Sequence, residues 1–155
     1  MDTPAQPEPT VSRDERIMAA LSHVSAILYF MGLVVPVFIW LTQREKSRYA
    51  AFQALQAIVY QLIMIVVWFL GFGCYMLSIF GTMFGSLVLA EAFNRQPMMD
   101  GFPFLFPFGV LGLTFLFWIA YMLYAIIAAV LTLQGRPFRY LLLGQWVENW
   151  YNRNS

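Results

Sequence analysis

Long uncharged runs, separated by short polar connections, set the pattern of this chain. From Tyr49 to Ala90 there is no Asp, Glu, Lys or Arg, and the next charge is Glu91. An unbroken helix over that run would be about 63 Å long, twice what the ~30 Å hydrocarbon core of a bilayer can hold. The length therefore predicts a hairpin that folds back at Gly71-Phe72-Gly73, where two glycines weaken the helix and permit turn dihedrals. Its arms run from Ala50 to about Leu70 and from about Tyr75 to Ala92. In the second arm, Gly81 and Gly85 have the four-residue spacing that lets membrane helices approach closely.

A second uncharged segment, Ile17 to Leu41, is long enough to span with tilt, and Pro36 predicts a kink within it. It is longer than the core of a signal peptide and has no clear cleavage site, so it is expected to be retained. Ser12-Arg13-Asp14-Glu15 before it fits a capping box, with Ser as N-cap and Glu three residues on. A third uncharged run, Gly101 to Gln134, exceeds one span. Its Phe102 to Phe108 stretch, rich in Phe and Pro, reads as an aromatic interfacial or re-entrant entry, and Val110 to Leu133 as the last span.

These runs predict an all-α integral membrane bundle of about four transmembrane helices with a short C-terminal interfacial helix. Residues 1–12, with Pro4, Pro7 and Pro9 and no apolar period, read as a disordered tail, residues 13–144 as the membrane domain, and 145–155 as an interfacial tail carrying Trp146 and Trp150. Composition points the same way: 61% of the residues are hydrophobic and 11% charged, whereas soluble domains carry about 25% charged residues. A formal net charge of +1 gives no reason to expect a nucleic-acid partner.

Basic residues sit at the ends of the runs. Trp40, Arg44, Lys46, Arg48, Arg136, Arg139 and Tyr140 form the expected interfacial set, aromatic beside basic at headgroup level. Four spans place both termini on one side with Arg13, Arg16, Arg136, Arg139 and Arg153. The first and third connections hold Arg44, Lys46, Arg48 and Arg95 opposite them. The positive-inside rule barely separates these sets. Both ends are assigned to the cytoplasm of a multi-pass inner-membrane protein, and a re-entrant hairpin would reduce the effective count to three.

Candidate chemistry is sparse. Gln53, Gln56, Tyr60 and Gln61 share one arc of a helix at 100° per residue, and amides in hydrocarbon must find partners, so this polar stripe is expected to face other helices or water. Ser22, Ser25 and Tyr29 form a packing arc on the first span. His23, the only histidine, lacks carboxylate or thiolate companions for a metal site. Its expected partner is an amide such as Gln53 or Gln56, or a backbone carbonyl; a pH-sensitive role stays open. Cys74, the single cysteine, reads as a small apolar filler. No Gly-x-Ser-x-Gly, His-Glu-x-x-His or phosphate loop occurs, and no carboxylate lies within a span except Glu91 at a boundary. Neither an enzyme nor a cofactor is expected.

Three pieces of sequence together resemble a known family. They are Ala20-Leu21-Ser22-His23-Val24-Ser25-Ala26 leading to Ile39-Trp40-Leu41; Ala51-Phe52-Gln53-Ala54-Leu55-Gln56-Ala57 with Tyr60-Gln61; and Gly135-Arg136-Pro137-Phe138-Arg139-Tyr140. The family is the bacterial Tic-twenty-like domain of unknown function, related to a chloroplast inner-envelope import component. The resemblance implies a small helical membrane protein without established enzymatic chemistry. Two functions follow as expectations: a helix-packing subunit or accessory of a membrane assembly, partnered by lipid and by its own copies or other membrane subunits, or a pore or protein-translocation component with a path lined by the polar stripe.

Overall fold

A computed structural model of the chain describes residues 11–93 and 102–141, and beyond these Gly144, Gln145, Val147, Asn149 and Arg153. The described residues are helical nearly throughout. Helix α1 is Arg13–Val24, a 3-10 stretch covers Ser25–Leu33, and α2 is Val34–Gln43; α3 runs Arg48–Phe93 and α4 Phe102–Leu133. Among the described residues, three stretches are long and apolar enough to cross a membrane, Arg13–Gln43, Arg48–Val88 and Leu105–Leu133, where four were expected.

The difference in count lies in α3. It continues through Gly71 and Gly73 for 46 residues, so the predicted hairpin there is absent. Each glycine costs a helix about 1 kcal/mol relative to Ala. Continuing the helix keeps the peptide hydrogen bonds through residues 71–73 that a turn would give up in part. The helix is the cheaper outcome. Phe102–Phe108 likewise joins α4 and forms no irregular entry, with Pro107 carried inside the helix. The expected Asn94–Asp100 loop, Arg95 as partner of Glu91, the tail 1–10, Trp146 and Trp150 lie outside the described residues. Within 145–155, the described residues are helical and Val147 is buried.

Reversal occurs instead in the first apolar segment. Glu15 Oε1 accepts a hydrogen bond from Ser47 Oγ at 2.6 Å. A straight helix would hold residues 15 and 43 about 42 Å apart. Arg13–Gln43 is therefore a helical hairpin, and its bend is at Tyr29, the only described non-glycine residue with positive φ (58°, ψ −131°). Gly32 lets the arms touch, because a Cβ there would lie 1.9 Å from Ser25 O. Pro36 does not make the kink. It sits in the first turn of α2, where a missing N–H costs least.

Both helix starts near the hairpin base are capped by one constellation. Ser12 and Glu15 form the reciprocal capping box of α1, with Ser12 N donating to Glu15 Oε2 at 2.7 Å. The other carboxylate oxygen takes the Ser47 hydroxyl, whose oxygen accepts from Ala50 N at 3.1 Å at the start of α3. A carboxylate so placed complements the positive ends of two helices.

The chain divides into two compact units, 1–62 with 122–155, and 63–121. The first holds the hairpin, the beginning of α3, the end of α4 and the segment after it. The second holds the remaining parts of α3 and α4, which meet where Gly71 faces Thr114. Positions 81 and 85 have open space around them, so the Gly81/Gly85 spacing makes no close helix contact among the described residues. Cys74 is exposed there and fills no core.

Replacing Gly32 with Ala is expected to lower stability by roughly 2–3 kcal/mol, because backbone must move to admit the methyl group. Gly73→Ala, which meets nothing, is expected to be neutral or stabilising. Thermal unfolding of the two variants in detergent, followed by tryptophan fluorescence, checks both signs.

Candidate functional site: a buried amide clamp

After α4 the chain stops being helical for a physical reason. Gly135 adopts φ +80° and closes a Schellman-type end, its N–H donating to Thr132 O at 3.0 Å while Arg136 N donates to Leu131 O at 3.1 Å. Pro137 follows, and residues 136–140 have no regular secondary structure. Their backbone groups need partners from elsewhere. Phe138 and Tyr140 are buried, so water does not supply them.

The first turns of α3 do. Gln53 Nε2 donates to Phe138 O at 3.1 Å, and Gln56 Nε2 donates to the same oxygen at 3.2 Å. Gln56 Oε1 accepts from Tyr140 N at 3.2 Å. Gln56 thus pairs with the C=O and N–H of residues two apart, as a neighbouring β-strand would. Gln53 Oε1, its amide orientation set by the bond to Phe138 O, faces His23 Nε2 at 3.1 Å. That carbonyl oxygen can only accept, so Nε2 carries the imidazole proton. In the neutral ring Nδ1 then accepts from Tyr140 Oη at 3.0 Å. Five groups on α1, α3 and the 136–140 segment close one circuit.

Aromatic rings wall the circuit. Tyr60 stacks on Tyr140 with centroids 4.2 Å apart and planes at 17°, while Tyr124 meets Tyr60, Phe138 and Tyr140 edge-on. A separate contact sits nearer the hairpin bend, where Gln61 Nε2 donates to Ser25 Oγ at 3.2 Å and lies 3.4 Å from Ser22 O. Gln61 Oε1 and Trp40 Nε1 are the buried side-chain polar atoms without a partner among the described residues.

The structure brings His23, Gln53, Gln56, Tyr60 and Gln61 into one unit and withdraws them from solvent: Gln53 and Gln56 are 0% exposed, His23 1%, Gln61 2% and Tyr60 9%. Arg44, Lys46, Arg48, Arg136 and Arg139 are exposed, and the Arg44 guanidinium lies 5.9 Å from the centroid of half-buried Trp40. Tyr140 departs from the interfacial expectation, being buried with its hydroxyl on His23. Reading it as a headgroup aromatic missed the signal in Pro137, which forces non-helical backbone whose polar groups demand partners. Tyr124 and the carbonyl of Phe138 went unnoticed for the same reason. Among the described residues no three His, Cys, Asp or Glu side chains gather as metal ligands would.

Helices long and apolar enough to span, apolar side chains exposed along their flanks and a polar cluster turned inward define an integral membrane protein of all-helical class. Within that class, the model of the MamF/MmsF magnetosome magnetite crystal formation protein family matches residues 14–147, and the chain belongs to this family. The match replaces the Tic-twenty-like assignment: the Ser-His, Gln-stripe and Arg-Pro-Phe-Arg-Tyr pieces that suggested that family all fall inside the matched range. No curated protein and no solved structure matches the chain.

Gln53→Met leaves the His23 N–H without an acceptor, and Gln56→Met leaves the Tyr140 N–H unpaired. Each is expected to cost about 1–3 kcal/mol. Gln61→Met is expected to cost less than either, since its carbonyl oxygen has no bond to lose and Ser25 Oγ keeps its bond to Ser22 O at 2.9 Å. Unfolding of the three variants in mixed micelles gives the ranking.

Proposed function

We propose that the chain serves magnetite crystal formation as a non-enzymatic membrane component, contributing packed helices to an assembly of membrane proteins. One observation carries this reading. Every polar atom of Gln53 and Gln56 has a partner in His23, Phe138 or Tyr140 and both side chains are 0% exposed, so neither amide is presented to a substrate or to water. A path-lining stripe would have at least one face of its amides open. The same observation favours packing over the pore or translocation reading of these residues. Family membership supplies the process, and the long exposed apolar flanks supply surface for lipid and for other membrane subunits.

Deletion of the gene in a magnetite-forming host is expected to alter crystal size or shape in electron micrographs, with restoration by the intact chain. Restoration by Gln56→Met is expected to be weaker, in proportion to the loss of folded protein. Blue-native electrophoresis of the complemented strain is expected to show a species larger than the monomer. Unchanged crystals in the deletion strain, or a strictly monomeric chain, contradicts the proposal.

A further inference from the structure

The hairpin changes which basic residues share a side of the membrane. With Arg13–Gln43 counted as one crossing, Arg44, Lys46 and Arg48 lie opposite the start of α1. In the folded chain they do not. The Glu15–Ser47 bond ties the start of α1 to the connection after α2. The Tyr49 hydroxyl lies 3.2 Å from both Thr132 O and Arg136 O, tying that connection to the end of α4. Arg16 packs its guanidinium against Gly135, where a Cβ would come within 2.8 Å of Nε. Three chain segments therefore meet at one end of this unit.

That end carries Arg13, Arg16, Arg44, Lys46, Arg48, Arg136 and Arg139, seven of the nine Lys and Arg residues of the chain, against Asp14, Glu15 and Glu45. Six of the seven are exposed and Arg16 is half-buried. Arg95 alone follows the far end of α3. The hairpin tip is of opposite character: Leu28 is 61% exposed and Met31 74%, beside exposed Ile27, Phe30 and Val34. Such a tip suits acyl chains and not headgroups. From Ile17 to the bend, and from the bend to Leu41, each apolar arm reaches about 20 Å, short of the ~30 Å core.

We infer that Arg13–Gln43 is a re-entrant hairpin that enters and leaves through the cytoplasmic leaflet, so that α3 and α4 alone cross. The basic end then rests on anionic phospholipid headgroups of that leaflet. A strong excess of Lys and Arg on short segments is what retains a face in the cytoplasm, and the same charge complements anionic lipid. This inference is independent of the role in mineral formation.

Single cysteines placed in a Cys74→Ser chain test the topology. With a membrane-impermeant maleimide, Lys46→Cys is expected to label only in inverted vesicles and Glu91→Cys, exposed near the end of α3, only in intact spheroplasts. Met31→Cys is expected to label in neither until the membrane is dissolved. Labelling of Lys46→Cys from outside, or of Met31→Cys from either side, overturns the re-entrant hairpin. The lipid surface is tested on the purified full chain. Phosphatidylglycerol added to neutral detergent micelles is expected to raise the melting temperature more than phosphatidylcholine does. The difference is expected to shrink at least twofold in Lys46→Glu/Arg136→Glu, whose side chains are exposed. Equal shifts for both lipids in the unsubstituted chain, or an undiminished difference in the variant, overturn the headgroup contact.

Discussion

Non-helical backbone buried among apolar helices is held here by two glutamine side chains, and most of the structure around it depends on that pairing. Residues 136–140 cannot continue α4, because Gly135 ends the helix in a left-handed conformation and Pro137 lacks the donor to restart it. Gln53 and Gln56, three apart on α3 and thus on one face, supply the missing partners. Their reach fixes the register of the segment against α3. It also seats Tyr140, whose hydroxyl holds His23 and so brings α1 to the same place.

The circuit makes the hairpin and the end of α4 parts of one object. His23 is on the outgoing arm, five residues beyond Met18, and its partner Gln53 is one turn and a half into α3. At the hairpin base, Glu15 and Ser47 join the helix starts. Packing between arms then requires that Gly32 lack a side chain and that Tyr29 accept a backbone conformation that non-glycine residues rarely adopt, at a cost of order 1–3 kcal/mol. Such strain persists only where the surrounding contacts over-determine it. The anchors on α1 and at Ser47 do that, while the apolar residues at the bend stay exposed.

Much of this was legible residue by residue. A histidine and amides in an uncharged run must find one another, and the angular positions of Gln53, Gln56 and Tyr60 place them on a common face. The capping box at Ser12 was readable from four residues, and it forms. Two features were not legible. Gly71 and Gly73 carry the usual marks of a turn, yet the helix continues through both and keeps its peptide hydrogen bonds at a cost of about 1 kcal/mol per glycine. Conversely, Tyr29 carries no turn signal at all, and the reversal there follows from long-range contacts at Ser47 and Ser25 that no local pattern announces. Pro36 drew attention to the right segment and the wrong residue, since proline is accommodated in the first turn of α2.

Amide hydrogen exchange, read by mass spectrometry on the chain in lipid nanodiscs, tests the clamp most directly. Because Tyr140 N–H donates to Gln56 Oε1 inside a buried ring cluster, the amide of this non-helical residue is expected to exchange as slowly as those of the α3 interior around Ala54. Exchange of the Tyr140 amide within seconds, at the pace of an exposed loop, contradicts the account.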